Sequence, residues 1–134
     1  MNNCEYCNIS FENQKIILEN KHCFYLQLIN PEIEGSGIII PKEHRETVFD
    51  LTEEEWLSTY ELMKEAKKEI DKIHKPDGYN VGWNCGSVGG QHIFHSHLHV
   101  IPRYVDETYA GKGIRNWIKS PDNKRVGKKE ITHE

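Results

Sequence analysis

No stretch of this chain approaches the roughly 18 consecutive apolar residues that a membrane span needs. An excess of basic residues is also missing. Lysine and arginine total 17 against 21 aspartates and glutamates, a formal net charge of −4, so there is no electrostatic footprint for nucleic acid. The opening Met-Asn-Asn-Cys-Glu-Tyr-Cys is too polar for a secretory signal. The expected compartment is the cytoplasm, where thiols stay reduced. With only four cysteines, metal ligation or burial as free thiols fits better than a disulfide framework. Internal repeats are absent as well. A length of 134 residues is that of one domain with one real core.

What the chain does have is concentrated between Asn84 and Arg103. This stretch holds four of the eight histidines, His92, His95, His97 and His99. The last three alternate with Ser96, Leu98 and Val100, the period of a β-strand. The three imidazoles are expected on one face, with Leu98 and Val100 turned into the core. Before them lies Gly86-Ser87-Val88-Gly89-Gly90, where glycine permits backbone N–H groups to converge on an anion. Pro102 is expected to end the run. Imidazoles beside an anion-cradling loop point to phosphate chemistry.

The rest of the chain reads as a scaffold. Cys4-Glu5-Tyr6-Cys7 can grip a metal ion from a single turn, but zinc needs two more ligands; a redox pair is the rival reading. Strands are expected over Lys15–Glu19, His22–Ile29, Gly37–Pro41, Tyr79–Trp83 and His97–Tyr104, the first two joined by a turn at Asn20-Lys21. Thr52 to His74 is one long helix, opened by a capping box between Thr52 and Glu55. Trp56, Tyr60, Met63, Ala66, Ile70 and Ile73 recur along it at helical spacing, which predicts one apolar stripe. From Asp106 the pattern is lost, and residues 106–134 read as an extension anchored by Trp117 and Ile118. Five strands and one long helix, without strict alternation, argue an α+β domain on an antiparallel sheet.

Alternate residues of a strand lie about 6.6 Å apart and the outer pair of three about 13 Å apart. Three imidazoles on a straight strand cannot all reach one ion, so the triad should divide its labour. One end could hold metal while a neutral imidazole serves as base or nucleophile. Such a nitrogen attacks phosphorus to form a phospho-histidine intermediate, and neighbouring donors hold the phosphoryl charge.

These residues match a known pattern. Gly90-Gln91, His95-Ser96-His97-Leu98-His99-Val100-Ile101-Pro102-Arg103, Asn84, the upstream Ile38-Ile39-Ile40-Pro41-Lys42-Glu43-His44 and the opening Cys-x-x-Cys strongly resemble the histidine triad (HIT) family, in its bacterial zinc-binding branch. The resemblance covers roughly residues 4 to 104. It implies a HIT domain over 1–105 that pairs into a homodimer, the extension packing on the domain or on the partner. It implies a hydrolase cleaving at the α-phosphate of a nucleoside phosphoramidate or dinucleoside polyphosphate, acting on small-molecule nucleotides. By motif position His97 resembles the nucleophile, and His99 and Gln91 resemble phosphate donors. Asn84 resembles a partner of the phosphate or leaving group, and Gly90 belongs to the same loop. Cys4, Cys7, His44 and His95 match the ligands of a structural zinc.

Three positions depart from the pattern. Ser36 stands where histidine is usual. Leu28 stands where Asp or Asn usually meets the ribose, a role that Gln27 or Asn30 could take. His92 replaces a Ser or Thr that donates to the leaving group, and an imidazolium there could act as general acid. Two rival readings are a nucleotide-binding module with little catalysis, and a zinc enzyme with His95 and His97 as paired ligands. The latter leaves Cys4 and Cys7 without a role. Trp117, with Lys112 and Arg115, is expected to fold over the partner's active site.

Overall fold

The computed structural model describes residues 3–127; residues 128–134 of the expected extension lie outside them. Five strands are present: β1 (Gln14–Glu19), β2 (Cys23–Leu28), β3 (Gly37–Pro41), β4 (Gly78–Gly82) and β5 (Leu98–Arg103). They form one antiparallel sheet in the order β1-β2-β3-β5-β4. One long helix, α1 (Glu53–His74), covers one face, and a single turn, α2 (Arg115–Ile118), lies in the extension. The α+β architecture expected from the sequence is the one observed.

Local chemistry explains each element. The Asn20 side-chain carbonyl accepts from the N–H groups of His22 and Cys23, closing the β1–β2 turn, while its amide donates to the Ser58 carbonyl on α1. β3 is buried along its whole length, as its run of isoleucines requires. It begins at Gly37, where a Cβ would fall 2.4 Å from the Leu26 carbonyl oxygen and 2.8 Å from the Tyr25 ring. Thr52 caps α1 in the predicted box with Glu55, the first turn carries Glu53, Glu54 and Glu55, and Lys72 and His74 sit in the last turn. That distribution opposes the helix dipole at both ends. Lys75 ends the helix in the left-handed conformation, with φ 51°, and Pro76 follows.

Two expectations need correction here. The buried face of α1 is Glu55, Ser58, Thr59, Leu62, Ala66 and Ile70, whereas Trp56, Tyr60 and Ile73 are about half exposed or more. Periodicity allows two adjacent faces on this helix. The sheet takes the one with the smaller residues Ser58, Thr59 and Ala66, over which backbones approach closely. Trp56 instead stacks on Trp83, with ring centroids 5.7 Å apart, and the two border an apolar groove with Tyr60, Met63 and Val81. Pro102 lies inside β5, opposite Tyr79. β3 pairs with β5 only over Leu98–Val100, so Pro102 sits where β5 has one neighbour and no ladder bond is lost to it.

The core divides by strand alternation. Cys23, Tyr25, Ile39, Leu98 and Val100 point to the helix and meet Leu62, Ala66 and Ile70. Leu26, Ile38 and Ile40 point the other way and are covered by the N-terminal segment through Tyr6, Cys4 and Ile9. Within the single chain the extension is fastened by β5. Trp117 and Ile118 are largely exposed, and Arg103 holds the segment by hydrogen bonds to the Tyr109 and Lys112 carbonyls. Among the described residues no helix is long and apolar enough to cross a membrane.

Candidate functional site

The N-terminal segment brings its two cysteines onto the open face of the sheet, against the end of β3 and the approach to β5. Cys4 Sγ lies 3.3 Å from His95 Nδ1, Cys7 Sγ lies 3.3 Å from His44 Nδ1, and Cys7 Sγ lies 3.5 Å from His95 Nδ1. All four ligand atoms fall within 4.8 Å of one another. A tetrahedral zinc with Zn–S of about 2.3 Å and Zn–N of about 2.0 Å separates its S and N ligands by about 3.5 Å, so the set fits that ion. His95 is fully buried, and its Nε2 lies 2.8 Å from the Pro41 carbonyl oxygen. A carbonyl only accepts, so the proton is on Nε2 and the Nδ1 lone pair faces the sulfurs. This is how the outer shell of a metal ligand sets its tautomer.

His95 and His97 both precede β5, and His99 lies within it. The His97 and His99 ring centroids are 4.9 Å apart, while the His95 ring meets the cysteines. His97 Nδ1 lies 2.8 Å from the His95 carbonyl oxygen, which again places a proton on Nδ1, so that the lone pair of the neutral ring is on Nε2. His99 Nε2 is buried and has no hydrogen-bond partner among the described residues. Burial first, and His97 second, pull the His99 imidazole below its ordinary value. An unpartnered buried nitrogen is costly, and a ligand could satisfy it. His99, Asn84 and Ile101 line a hollow of about 260 Å³ on this face.

Much of the glycine loop is bonded to itself. Gly89 and Gln91 donate to the Gly86 carbonyl, and Gly90 donates to that of Ser87. The Gln91 amide closes the structure: its oxygen accepts from Gly86 N–H, and its nitrogen donates to the Glu46 and Ile93 carbonyls. Gln91 is 2% exposed, and it staples the loop. Gly90 has φ 97°, a backbone conformation that favours glycine, while a Cβ there would make only ordinary contact with the Asn84 amide, at 3.6 to 3.8 Å.

The remaining sites fall elsewhere. His92 is exposed and lines a separate hollow beside Cys4, His44 and Glu46. Asn30 is exposed with φ 54°, a conformation asparagine tolerates, so a backbone reason suffices for it. Ser36 is buried, its hydroxyl donating to the Ile33 carbonyl at 2.7 Å. Leu28, at the end of β2, is 40% exposed.

Tyr6 is a site residue that sequence reasoning missed. It lies between the cysteines and packs edge-on to His97 at 5.2 Å and His95 at 6.0 Å. Burial and, next, Glu5 push its phenol up to about 12. Arg45 is another; it donates to both Glu55 carboxylate oxygens, while its carbonyl accepts from Ser96 N–H at 2.6 Å. The helix cap is thus tied to the residue between His95 and His97. Only the position of Tyr6 inside the cysteine motif was a usable signal.

The family model described as HIT domain matches residues 11–106. An uncharacterised HIT-like protein of Methanocaldococcus jannaschii is 33% identical, the match covering 98% of this chain and 97% of that protein. An adenosine 5'-monophosphoramidase of Schizosaccharomyces pombe is 32% identical over 78% of this chain and 75% of its own length. The crystal structure of a HIT family protein from Bacillus anthracis superimposes with a TM-score of 0.70 at 30% identity, covering 78% of this chain and 75% of that one.

Proposed function

The chain belongs to the HIT family, and from that premise we propose that it is a nucleotide hydrolase working through a covalent nucleotidyl-histidine. The observation that carries this reading is the His97 Nδ1 bond to the His95 carbonyl, which aims an unprotonated Nε2 lone pair from a rigid, buried ring. That nitrogen attacks the α-phosphorus of a nucleoside phosphoramidate or dinucleoside polyphosphate and displaces the leaving group. Water then cleaves the P–N bond to His97 and releases the nucleoside monophosphate. His99, with its unpartnered Nε2, supplies a place for a phosphoryl or leaving-group atom, and Asn84 completes that side. The phosphoramidase name of the fission yeast relative agrees with this chemistry.

Zinc is the ion we assign to Cys4, Cys7, His44 and His95. When bound it supplies a structural crosslink between the N-terminal segment and the approach to β5. The residues themselves hold His97 in register through the His95 carbonyl. A homodimer is part of the same proposal. β4 is an edge strand, and exposed Trp56, Tyr60 and Val81 lie beside it. An unpaired edge next to an apolar groove is a surface that a second copy can cover.

The test is intact mass of the protein quenched during incubation with adenosine phosphoramidate, with free AMP read in the same tubes. The wild type should carry a transient adenylyl adduct and release AMP. His97→Ala should carry none and lose turnover by at least ~10³-fold. A fully active His97→Ala would sink the reading. The exposed Leu28 and the committed Gln91 amide favour a second reading, a binding module. Neither adduct nor AMP, with a nucleotide still raising Tm, would select it.

A further inference from the structure

The peptide group between His95 and Ser96 is held at both ends. Its carbonyl accepts from His97 Nδ1 at 2.8 Å, and its N–H donates to the Arg45 carbonyl at 2.6 Å. A trans peptide is planar and points these two groups in opposite directions, so tilting the plane disturbs both bonds together. Ser96 lends no side-chain support. Its hydroxyl is buried and has no hydrogen-bond partner among the described residues. The hold on the N–H side is the Arg45 carbonyl.

Arg45 lies between the end of β3 at Pro41 and the 3-10 turn at Val48–Asp50, outside any strand or helix. Its side chain supplies an anchor. Nε donates to Glu55 Oε1 at 2.9 Å and to Oε2 at 3.2 Å, a charge-assisted pair. Glu55 is buried in the first turn of α1, where Oε1 also accepts from Thr52 N–H at 2.9 Å. That turn is itself fastened. The Thr59 hydroxyl donates to the Glu55 carbonyl, and the Asn20 amide, from the β1–β2 turn, donates to the Ser58 carbonyl. The neighbours of Arg45 hold the same backbone elsewhere, His44 at Cys7 and Glu46 at Gln91. Of the three, Arg45 is the one bonded to the helix.

We propose that Arg45 is a positioning residue for His97: the pair with Glu55 fixes the Arg45 carbonyl, that carbonyl fixes the His95–Ser96 peptide, and the peptide holds the His97 ring with Nε2 aimed at phosphorus. The proposal rests on His97 as the nucleophile. Arg45 touches no substrate atom and acts through the ring. Hydrogen bonds at the two ends of one peptide also strengthen each other, so the Arg45 carbonyl favours the ring form protonated at Nδ1. Removing the Arg45 side chain leaves its carbonyl in place but free to shift. A misplacement of about 1 Å can cost up to ~10²-fold in rate, with no contact to substrate lost.

The test uses the zinc-loaded protein with adenosine phosphoramidate. Rapid quench and intact mass give the rate constant of adduct formation and the substrate concentration at half-saturation. Arg45→Met keeps the length and the apolar stem and loses the donors. It should form the adduct at least ~10-fold more slowly, with half-saturation unchanged. Glu55→Gln keeps the capping box and should slow the same step by a smaller factor. The double variant should be no slower than Arg45→Met, because the two residues act as one unit. Long-range proton–nitrogen spectra, assigned with His97→Ala, should show the His97 ring protonated at Nδ1 in the wild type and a mixture of tautomers in Arg45→Met. Lost stability alone does not produce that mixture well below Tm. An unchanged rate or an unchanged His97 spectrum in Arg45→Met overturns this proposal and leaves His97 chemistry intact. So does a loss confined to half-saturation, or zinc lost in step with the rate. A wild type that forms no adduct overturns both.

Discussion

His95 meets two demands at once, and the pair of them explains why a third imidazole sits in the motif. Its ring turns inward to Cys4 and Cys7, with Nε2–H on Pro41, while its backbone carbonyl takes the Nδ1 proton of His97. Anything that fixes His95 therefore fixes the orientation of the His97 ring. We expect one zinc per chain in the purified protein by inductively coupled plasma mass spectrometry, and a loss of most of it in Cys7→Ser, since three ligands close a structural site poorly. Equal zinc in the two proteins would remove Cys7 from the ligand set. Alternation made the His97–His99 pair legible before any fold was known, spacing offered only Cys4 and Cys7, and the resemblance to the family added His44 and His95. Gln91 was legible only as a motif member. That its amide closes a loop, and does not stand open toward a substrate, depends on Glu46 and Ile93 arriving from either side.

At the scale of the element, the start of α1 does more than begin a helix. Glu55 caps Thr52 and is at the same time paired with Arg45 at 2.9 Å, almost wholly buried. Burial pushes the carboxyl up, but the Arg45 hydrogen bonds and charge, with the Thr52 N–H, bring it below its ordinary value. A carboxylate that titrates lower in the folded state stabilises the fold above its unfolded value, about 4.3. That contribution is lost as pH falls through the lower folded value. Urea unfolding between pH 3 and 7 should show this acid loss in the wild type and less of it in Glu55→Gln. The same slope in both would show that Glu55 is not the group responsible. The capping box could be read directly because it joins residues three apart. The Arg45 pairing bridges ten positions and a 3-10 turn at Val48–Asp50, beyond the reach of any local pattern. The apolar stripe failed for a related reason: α1 offers two faces, and the sheet decides which one is buried.

For the whole molecule the open question of chemistry is assembly. The edge of β4 and the groove bordered by Trp56 and Trp83 together expose apolar area that a monomer has no partner for. Sedimentation equilibrium should give a dimer mass for the wild type. A charge in the groove, Trp56→Glu, should shift it toward monomer at micromolar concentrations while the far-ultraviolet spectrum stays the same. A wild type that sediments as a monomer would refute the pairing, and the exposed tryptophans would then need another explanation.

The sequence by itself determined the strands, the long helix and its cap, which rest on period and spacing, properties of neighbouring residues. The full ligand set of Cys4, Cys7, His44 and His95 came from the family resemblance, because its members are up to 91 residues apart. Only the tertiary structure decided that the His95 ring turns to Cys4 and Cys7, that the Gln91 amide closes the glycine loop, and that Arg103 anchors the extension. Those outcomes depend on which buried polar groups find partners across the chain. A guanidinium on β5 and carbonyls six and nine residues later meet because the backbone turns back after Tyr104, and no local pattern records that turn.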